Sequence, residues 1–370
     1  MSDTPMSDTP GADDPLTARL AGHVRDFEKL IVRYFDSLGG DGCLDVPSYG
    51  VLAPQSLAMV RELTLRGGKR IRVVVLREAA RLVTDEPVAG LDHAALGVEL
   101  LHTHGLIHDD LIDDSAVRRG GPSTYYAYRE RFPGHPRAAL GLTVLAGDLA
   151  LALAVRVLLG AEGDMSVRQA MVEVLTRAAA ETVLGQVVDL ERDLGDTVPD
   201  DEVLHQVADF KSARYSLLAP LHLGLLAAGE RPERYADELR RYARLVGICG
   251  QMRDDYLDLF GDGKEMGKPV GTDVRDGRRS YAVAALLSTV GGAERRLVEA
   301  ALGDSSSSDE TIAVVRGIAE ERGVRERLRE SMRAHADQAA LVAGGWRERW
   351  RSEAVGFFEA LPHWSVERSR

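Results

Sequence analysis

Residues 96–114 read LGVELLHTHGLIHDDLIDD, an apolar run that gives way to four aspartates in six positions. On a helix, Asp109 and Asp113 stand one turn apart on one face and Asp110 lies about 100° around the axis, so at least two carboxylates project from one wall. Hard divalent cations want oxygen ligands, and Mg²⁺ commonly takes one or two carboxylates together with phosphate oxygens and water. A solvated acidic face would use the same letters. It would not ordinarily follow a core-like apolar run.

The pattern returns in residues 245–258, LVGICGQMRDDYLD, with Asp254, Asp255 and Asp258 again at i, i+1 and i+4 behind an apolar stretch. Two acidic walls facing each other across a bundle would repel strongly unless cations lay between them, and a metal-bridged phosphate ligand resolves that conflict. Directly after comes GDGKEMGKPVGTD, residues 261–273. Its glycines permit close backbone approach, and Lys264 and Lys268 can meet phosphate oxygens. Three further basic clusters suit the same ligand. Arg66-Gly-Gly-Lys-Arg-Ile-Arg72 leads from a Gly-Gly turn into a helix, Arg118 and Arg119 precede a Gly-Gly-Pro turn, and Lys211-Ser212 interrupts an apolar helix.

Around these motifs the chain reads as helix. Leu20, Val24, Phe27, Leu30, Ile31 and Tyr34 repeat at three and four residues, and alternation in the strand sense is scarce. Breaks at Gly39-Gly40, Pro87, Gly120-Pro122, Pro133-Pro136 and Pro199 predict roughly ten to fourteen helices of roughly 15–25 residues. No Gly/Ser/Pro-rich linker divides the middle of the chain, and the serine run within residues 303–310 reads as a surface loop. The expected organisation is a disordered tail over residues 1–15, where MSDTP occurs twice, and a single all-α domain over 16–370.

Composition removes other classes. With 45% apolar and 28% charged residues the 370-residue chain is a packed globule, neither disordered nor fibrous. A net charge of −12 argues against nucleic acid and acidic membranes as partners. Cys43 and Cys249 cannot form a disulfide framework, there is no asparagine to glycosylate, and the start lacks a basic and apolar leader. The stretch 138–161 contains Asp148 and Arg156, a costly load for a membrane span. A cytoplasmic protein without a transmembrane segment is expected. Only five of its 46 basic residues are lysine, and four of the five, Lys69, Lys211, Lys264 and Lys268, lie in the clusters above.

Taken in order, the motifs resemble those of the trans-isoprenyl diphosphate synthases, or polyprenyl synthetases, over residues from about 60 to 285. Gly67-Gly-Lys-Arg-Ile-Arg72 is similar to the family's Gly-Gly-Lys-x-x-Arg; Asp109-Asp-x-x-Asp113 with Arg118-Arg119-Gly120 resembles the first aspartate motif and its arginine pair. Gly185-Gln-x-x-Asp189, Lys211-Ser212, Gln251-x-x-Asp254-Asp-x-x-Asp258 and Gly267-Lys268 follow in the family's sequence. Ser212 stands for the usual Thr, and Arg278 for a common Lys; neither departure removes a hydroxyl or a charge.

The resemblance implies an isoprenoid-synthase helical bundle around a central apolar cavity, commonly a homodimer. It implies Mg²⁺, three ions per site, held by Asp109, Asp110, Asp113, Asp254, Asp255 and Asp258 on the diphosphate of an allylic substrate, with Arg118, Lys211 and Lys268 completing the cage. Ser212, Gln251 and Arg278 join that substrate site. The second substrate, isopentenyl diphosphate, would be held by Gly68, Lys69, Arg72, His102 and Arg119. Six carboxylates and a diphosphate of roughly −3 reach neutrality only with the metals and the basic side chains together. The leaving group thus stabilised, the C1–O bond ionises, and the double bond of isopentenyl diphosphate attacks the allylic cation. Released diphosphate takes the proton, and an apolar cavity keeps water from quenching the cation.

In this family, product length follows the side chains one turn before the first aspartates, because each isoprene unit adds about 5 Å, close to one helical turn. Those positions are His104, a medium-sized partial stop, and Gly105, which leaves room. The C20 product, geranylgeranyl diphosphate, is expected first, with farnesyl diphosphate and longer polyprenyl diphosphates as alternatives. Rival readings are an HD-type metal phosphohydrolase built on His102, His104 and His108-Asp109, a terpene cyclase, and a regulatory subunit that has lost its site. The repeated aspartate motif and the absence of asparagine argue against all of these. Trp346 and Trp350 read as a packing stripe, Cys249 as a small core residue, and Asp148 as an organising carboxylate without direct metal contact.

Overall fold

The computed structural model describes residues 15–38, 44–47, 49–195, 197–263 and 270–367. The expected tail lies outside these residues except for Pro15, which is the first residue of a helix, and so do Cys43, Lys264, Gly267 and Lys268.

The described chain is all-α apart from one two-residue hairpin. It divides into two compact units, one of Pro15–Ala179 with Ala219–Arg234 and one of Ala180–Leu218 with the chain from Tyr235 onward. The first unit contains α1 (Pro15–Leu38), α2 (Leu52–Leu65), α3 (Ile71–Val83), α4 (Leu91–Ile112), strands β1 (Val117–Arg118) and β2 (Gly121–Pro122), α5 (Thr124–Arg131) and α6 (Pro136–Leu159). It also holds the start of α7 (Met165–Leu194) and α9 (Ala219–Ala227). The second unit contains the rest of α7, α8 (Asp201–Val207), a π-helix (Ala208–Leu218), α10 (Ala236–Phe260), α11 (Thr272–Arg275) and α12 (Tyr281–Thr289). It closes with α13 (Gly292–Ala301), α14 (Asp309–Glu321), α15 (Val324–Gly344) and α16 (Ser352–Glu367).

Helices outnumber the expected ten to fourteen because several, such as α8 and α11, are a turn or two long and leave no readable periodicity. The hairpin is a second departure. Arg119 and Gly120, at φ 51° and 74°, both occupy the left-handed region that a two-residue turn of this twist demands.

In the first unit α4 packs along α6. Pro136 supplies a preset φ at the start of α6, and Gly97 of α4 brings the pair together, since a Cβ there would come within 3.2 Å of Leu158. Leu100, Leu101 and Ile107 of α4 are buried, each contributing about 1.5–3 kcal/mol. α6 is long and apolar enough to cross a membrane by length and composition alone, yet it serves here as a core helix that buries Ala146, Ala150, Leu153 and Leu158. In the second unit α10 lies between α15 and the π-helix. Gly247 permits this contact, because its Cβ would fall 2.4 Å from that of Ala213. Trp346 and Trp350 join Tyr242 and Phe358 in an aromatic cluster, and the Tyr242 hydroxyl donates to the Phe358 carbonyl at 2.8 Å. The Cys249 thiol is buried in this unit and pushed up to about 12. Residues 303–308 form a surface loop, as the serine run predicts.

Candidate active site

In the first unit the last turn of α4, the hairpin and the Gly-Gly turn before α3 carry the predicted residues. α4 ends at Ile112 and Asp113 caps it, its amide donating to the Asp109 carbonyl at 2.9 Å, so the two carboxylates do stand one turn apart. Both are partly exposed. Asp110 is turned inward, 1% exposed, and accepts from Arg118 Nε at 2.7 Å. Its other carboxylate oxygen is buried with no hydrogen-bond partner among the described residues. Burial pushes the Asp110 carboxyl up, while Arg118 favours its charged form. For Arg118, burial opposes the charge but Asp110, Asp109 and Asp113 outweigh it.

Arg119 faces the other way. Its Nη2 lies 3.1 Å from His102 Nε2; a guanidinium has no acceptor, so it donates and the imidazole nitrogen accepts. Burial and the positive neighbours Arg72 and Arg119 hold His102 well below the usual histidine range. Gly68, at φ 143°, lets the guanidinium of Arg119 come against its backbone; a Cβ would lie 3.1 Å from Nη2. Lys69 is exposed on this turn and Arg72 half-buried in the first turn of α3. Gly68, Arg72, His102 and Arg119 thus form one positive pocket whose imidazole is neutral.

Sequence reading missed what supports this pocket. Arg70, left-handed at φ 49°, is 3% exposed and donates to Glu28 at 2.8 Å, to Glu99 and to the Thr64 carbonyl at 2.7 Å. Arg66 donates to the carbonyls of Arg118 at 3.1 Å and Pro122 at 2.7 Å, which clamps the hairpin. Glu99 was visible as a lone charge within an apolar run; Arg66 carried no signal beyond its neighbourhood.

In the second unit Lys211 and Ser212 lie on the π-helix rather than on the α-helix expected for them. π-turns widen the backbone and recur at functional sites. Lys211 donates to Asp189 at 2.6 Å, and Arg192 pairs with Asp189 at 2.8 Å. Burial opposes ionisation of Asp189, but Lys211 and Arg192 hold it below the usual carboxylate range. Ser212 donates to the Gln251 side-chain oxygen at 3.3 Å, and Gln251 donates to Asp255 at 2.9 Å. Asp189, Arg192, Lys211, Gln251, Asp255 and Arg278 line one cleft, to which Asp273, Ser280 and Tyr281 also contribute.

The second aspartate motif is not uniformly open. Asp254 is exposed; Asp255 and Asp258 are 6% and 2% exposed. Asp255 accepts from the Tyr281 amide at 2.8 Å, and burial pushes its carboxyl up to about 6 despite Gln251. Asp258 accepts from the Thr272 hydroxyl and from the Asp273 amide at 3.0 Å, tying α10 to α11. Asp273, absent from the predicted ligands, is pushed well up by burial and by Asp258 and Asp255.

Carboxylates rimmed by arginine and lysine on an all-helical frame define a class: helical proteins that hold a small polyanion with the help of divalent metal. Within that class the chain belongs to the polyprenyl synthetase family, which it matches over residues 54–318. It is 32% identical over 253 residues to the short chain isoprenyl diphosphate synthase of Methanocaldococcus jannaschii, covering 68% of this chain and 72% of that one. It is 35% identical over 271 residues to geranylgeranyl pyrophosphate synthase 9, chloroplastic, of Arabidopsis thaliana, 69% of each. Its structure is similar to that of geranylgeranyl pyrophosphate synthase from Corynebacterium glutamicum complexed with isoprenyl diphosphate and magnesium. That likeness has a TM-score of 0.84 and 26% identity over 95% of this chain and 99% of that one. The isoprenoid-synthase fold expected from the sequence is therefore the fold observed.

Proposed function

We propose that this enzyme condenses isopentenyl diphosphate with allylic diphosphates to give all-trans prenyl diphosphates, with geranylgeranyl diphosphate as the main product. One observation carries the reading: adjacent residues of the hairpin turn to two different clusters, one acidic and suited to a metal-bound diphosphate, the other positive. Arg118 closes on the aspartates of α4, and Arg119 closes on His102 and Gly68. A two-substrate reaction between diphosphates needs such a pair.

The donor set fits Mg²⁺, since Asp109, Asp113 and Asp254 offer hard, partly or fully exposed oxygens. When bound, the metal neutralises the departing diphosphate. Three ions per site, with Asp110, Asp255 and Asp258 contributing, remain part of the proposal. Asp110 also keeps Arg118 charged and aimed, and Asp255 orients Gln251. Lys211, Arg278 and Lys268, the last outside the described residues, are assigned to the allylic diphosphate with Ser212. Gly68, Lys69, Arg72, His102 and Arg119 are assigned to isopentenyl diphosphate. His102, neutral and hydrogen-bonded to Arg119, orients that guanidinium without adding charge.

The C20 assignment draws support from Gly105, where an added Cβ would meet nothing within 4 Å. Residues 16–370 are taken as one catalytic domain. A homodimer is part of the same reading, supported by the exposed Leu140, Val144 and Leu145 on α6. So is residence in the cytoplasm, in keeping with the free thiol of Cys249. Against a phosphohydrolase, His102 pairs with Arg119, and the His108-Asp109 doublet divides, His108 lying 3.6 Å from Asp148 and Asp109 lying 3.7 Å from Arg118. Purified protein supplied with Mg²⁺, isopentenyl diphosphate and an allylic diphosphate should release a longer prenyl diphosphate. No elongation with any primer would overturn the proposal.

A further inference from the structure

His104 and His108 lie one turn apart on α4, with ring centroids 4.6 Å from each other, and Asp148 of α6 meets them. Ligand-capable atoms of all three side chains fall within 4.8 Å of one another. Two histidines at i and i+4 on one helix face, with a carboxylate from a neighbouring helix, are a donor set for a borderline-soft metal rather than for Mg²⁺.

The surroundings tune both rings for that role. His104 Nδ1 lies 3.0 Å from the Gly147 carbonyl. A carbonyl cannot donate, so Nδ1 carries the proton and Nε2 keeps its lone pair. An imidazole oriented through its second nitrogen by a backbone carbonyl is the usual arrangement around metal-bound histidine. His108 Nε2 is buried without a hydrogen-bond partner among the described residues and lies 3.6 Å from Asp148 Oδ1, close to the spacing of two ligands on one tetrahedral ion. Gly147 makes this possible, because a Cβ there would stand 2.3 Å from His108 Nε2. One glycine thus orients the first ring with its carbonyl and admits the second by lacking a side chain. Asp148 is exposed in the single chain.

We propose that His104, His108 and Asp148 form a binding site for a first-row transition-metal ion of the Zn²⁺ class, separate from the Mg²⁺ aspartates.

The test is a Co²⁺ titration of the untagged full-length chain, without substrate and with excess Mg²⁺ to occupy the all-oxygen sites. Visible absorption then reports nitrogen ligation. The expected result is one equivalent bound with intense imidazole-type d–d bands, and binding at least about tenfold weaker in Asp148→Asn and in His104→Gln. Asp148 is exposed, so Asp148→Asn keeps its fold, and a wild-type melting curve checks this for both variants. Absence of the bands, or an isotherm unchanged in Asp148→Asn, overturns the proposal. Prenyl transfer with Mg²⁺ is read separately on the same preparation, so failure of the catalytic reading and failure of this one are told apart.

Discussion

A Cβ built on Gly185 would stand 2.4 Å from the amide nitrogen of Lys211, so α7 and the π-helix touch backbone to backbone at the residue that pairs with Asp189. Gly185→Ala gains about 1 kcal/mol of helix propensity. It also overpacks a backbone contact at a cost of about 1–3 kcal/mol and displaces Lys211. Thermal melts should show a lower melting temperature, and kcat should fall about tenfold or more if Lys211 holds the allylic diphosphate as proposed, since a small misplacement of such a group is expensive. Wild-type kcat in a folded variant would refute the link.

Two aspartates of the second motif, Asp254 and Asp258, should behave differently. Asp254→Ala touches an exposed side chain, so stability should stay within about 0.5 kcal/mol, while activity falls by about 100-fold or more through lost metal. Asp258→Ala strips the acceptor from Thr272 and from the Asp273 amide, and should lower stability by about 1–3 kcal/mol as well. Calorimetry alongside Mg²⁺-dependence of kcat distinguishes the pair.

The proposed control of product length by His104 and Gly105 is open to a direct test. Gly105→Phe fills open space and should shift products toward shorter chains. His104→Ala removes a ring held to the Gly147 carbonyl and should lengthen them. Unchanged distributions in both variants, measured by chromatography of dephosphorylated products, would put the floor on another helix.

Acid should weaken the fold in part through Glu78. This fully buried carboxylate on α3 accepts from Arg19 and from His23 on α1, each at 2.6 Å. Burial opposes its charge, but His23 and Arg19 hold it below its ordinary value of 4.5. A carboxyl lowered by folding contributes stability above its unfolded pKa and loses it as pH falls through the folded one. Glu78→Gln should therefore cost about 3–5 kcal/mol at pH 7 and flatten the decline of melting temperature below pH 4.5.

Much of the molecule was legible in one dimension. Apolar spacing specified helices, and Asp109 with Asp113 came out one turn apart as their spacing requires. The hairpin was illegible because two-residue strands carry no alternation, and its Arg119-Gly120 turn looked like a mere basic cluster. The π-helix at Lys211 was equally hidden, for periodicity near 3.6 does not distinguish it over eleven residues. Asp273 and Glu99 matter through burial, which depends on neighbours distant in the chain.

By itself, then, the sequence determined the donor types: hard carboxylates in two repeats, guanidiniums and lysines beside glycine turns, and hence a metal-assisted diphosphate chemistry. Only the tertiary structure decided how each of those donors is held. Asp110, Asp255 and Asp258 are drawn inward to Arg118, Tyr281 and Thr272, whereas Asp254 is exposed. It also brought His104 and His108 to Asp148 through one missing Cβ at Gly147. The physical reason is that chemistry belongs to residue types, but accessibility, protonation and close approach belong to packing between segments far apart in the chain.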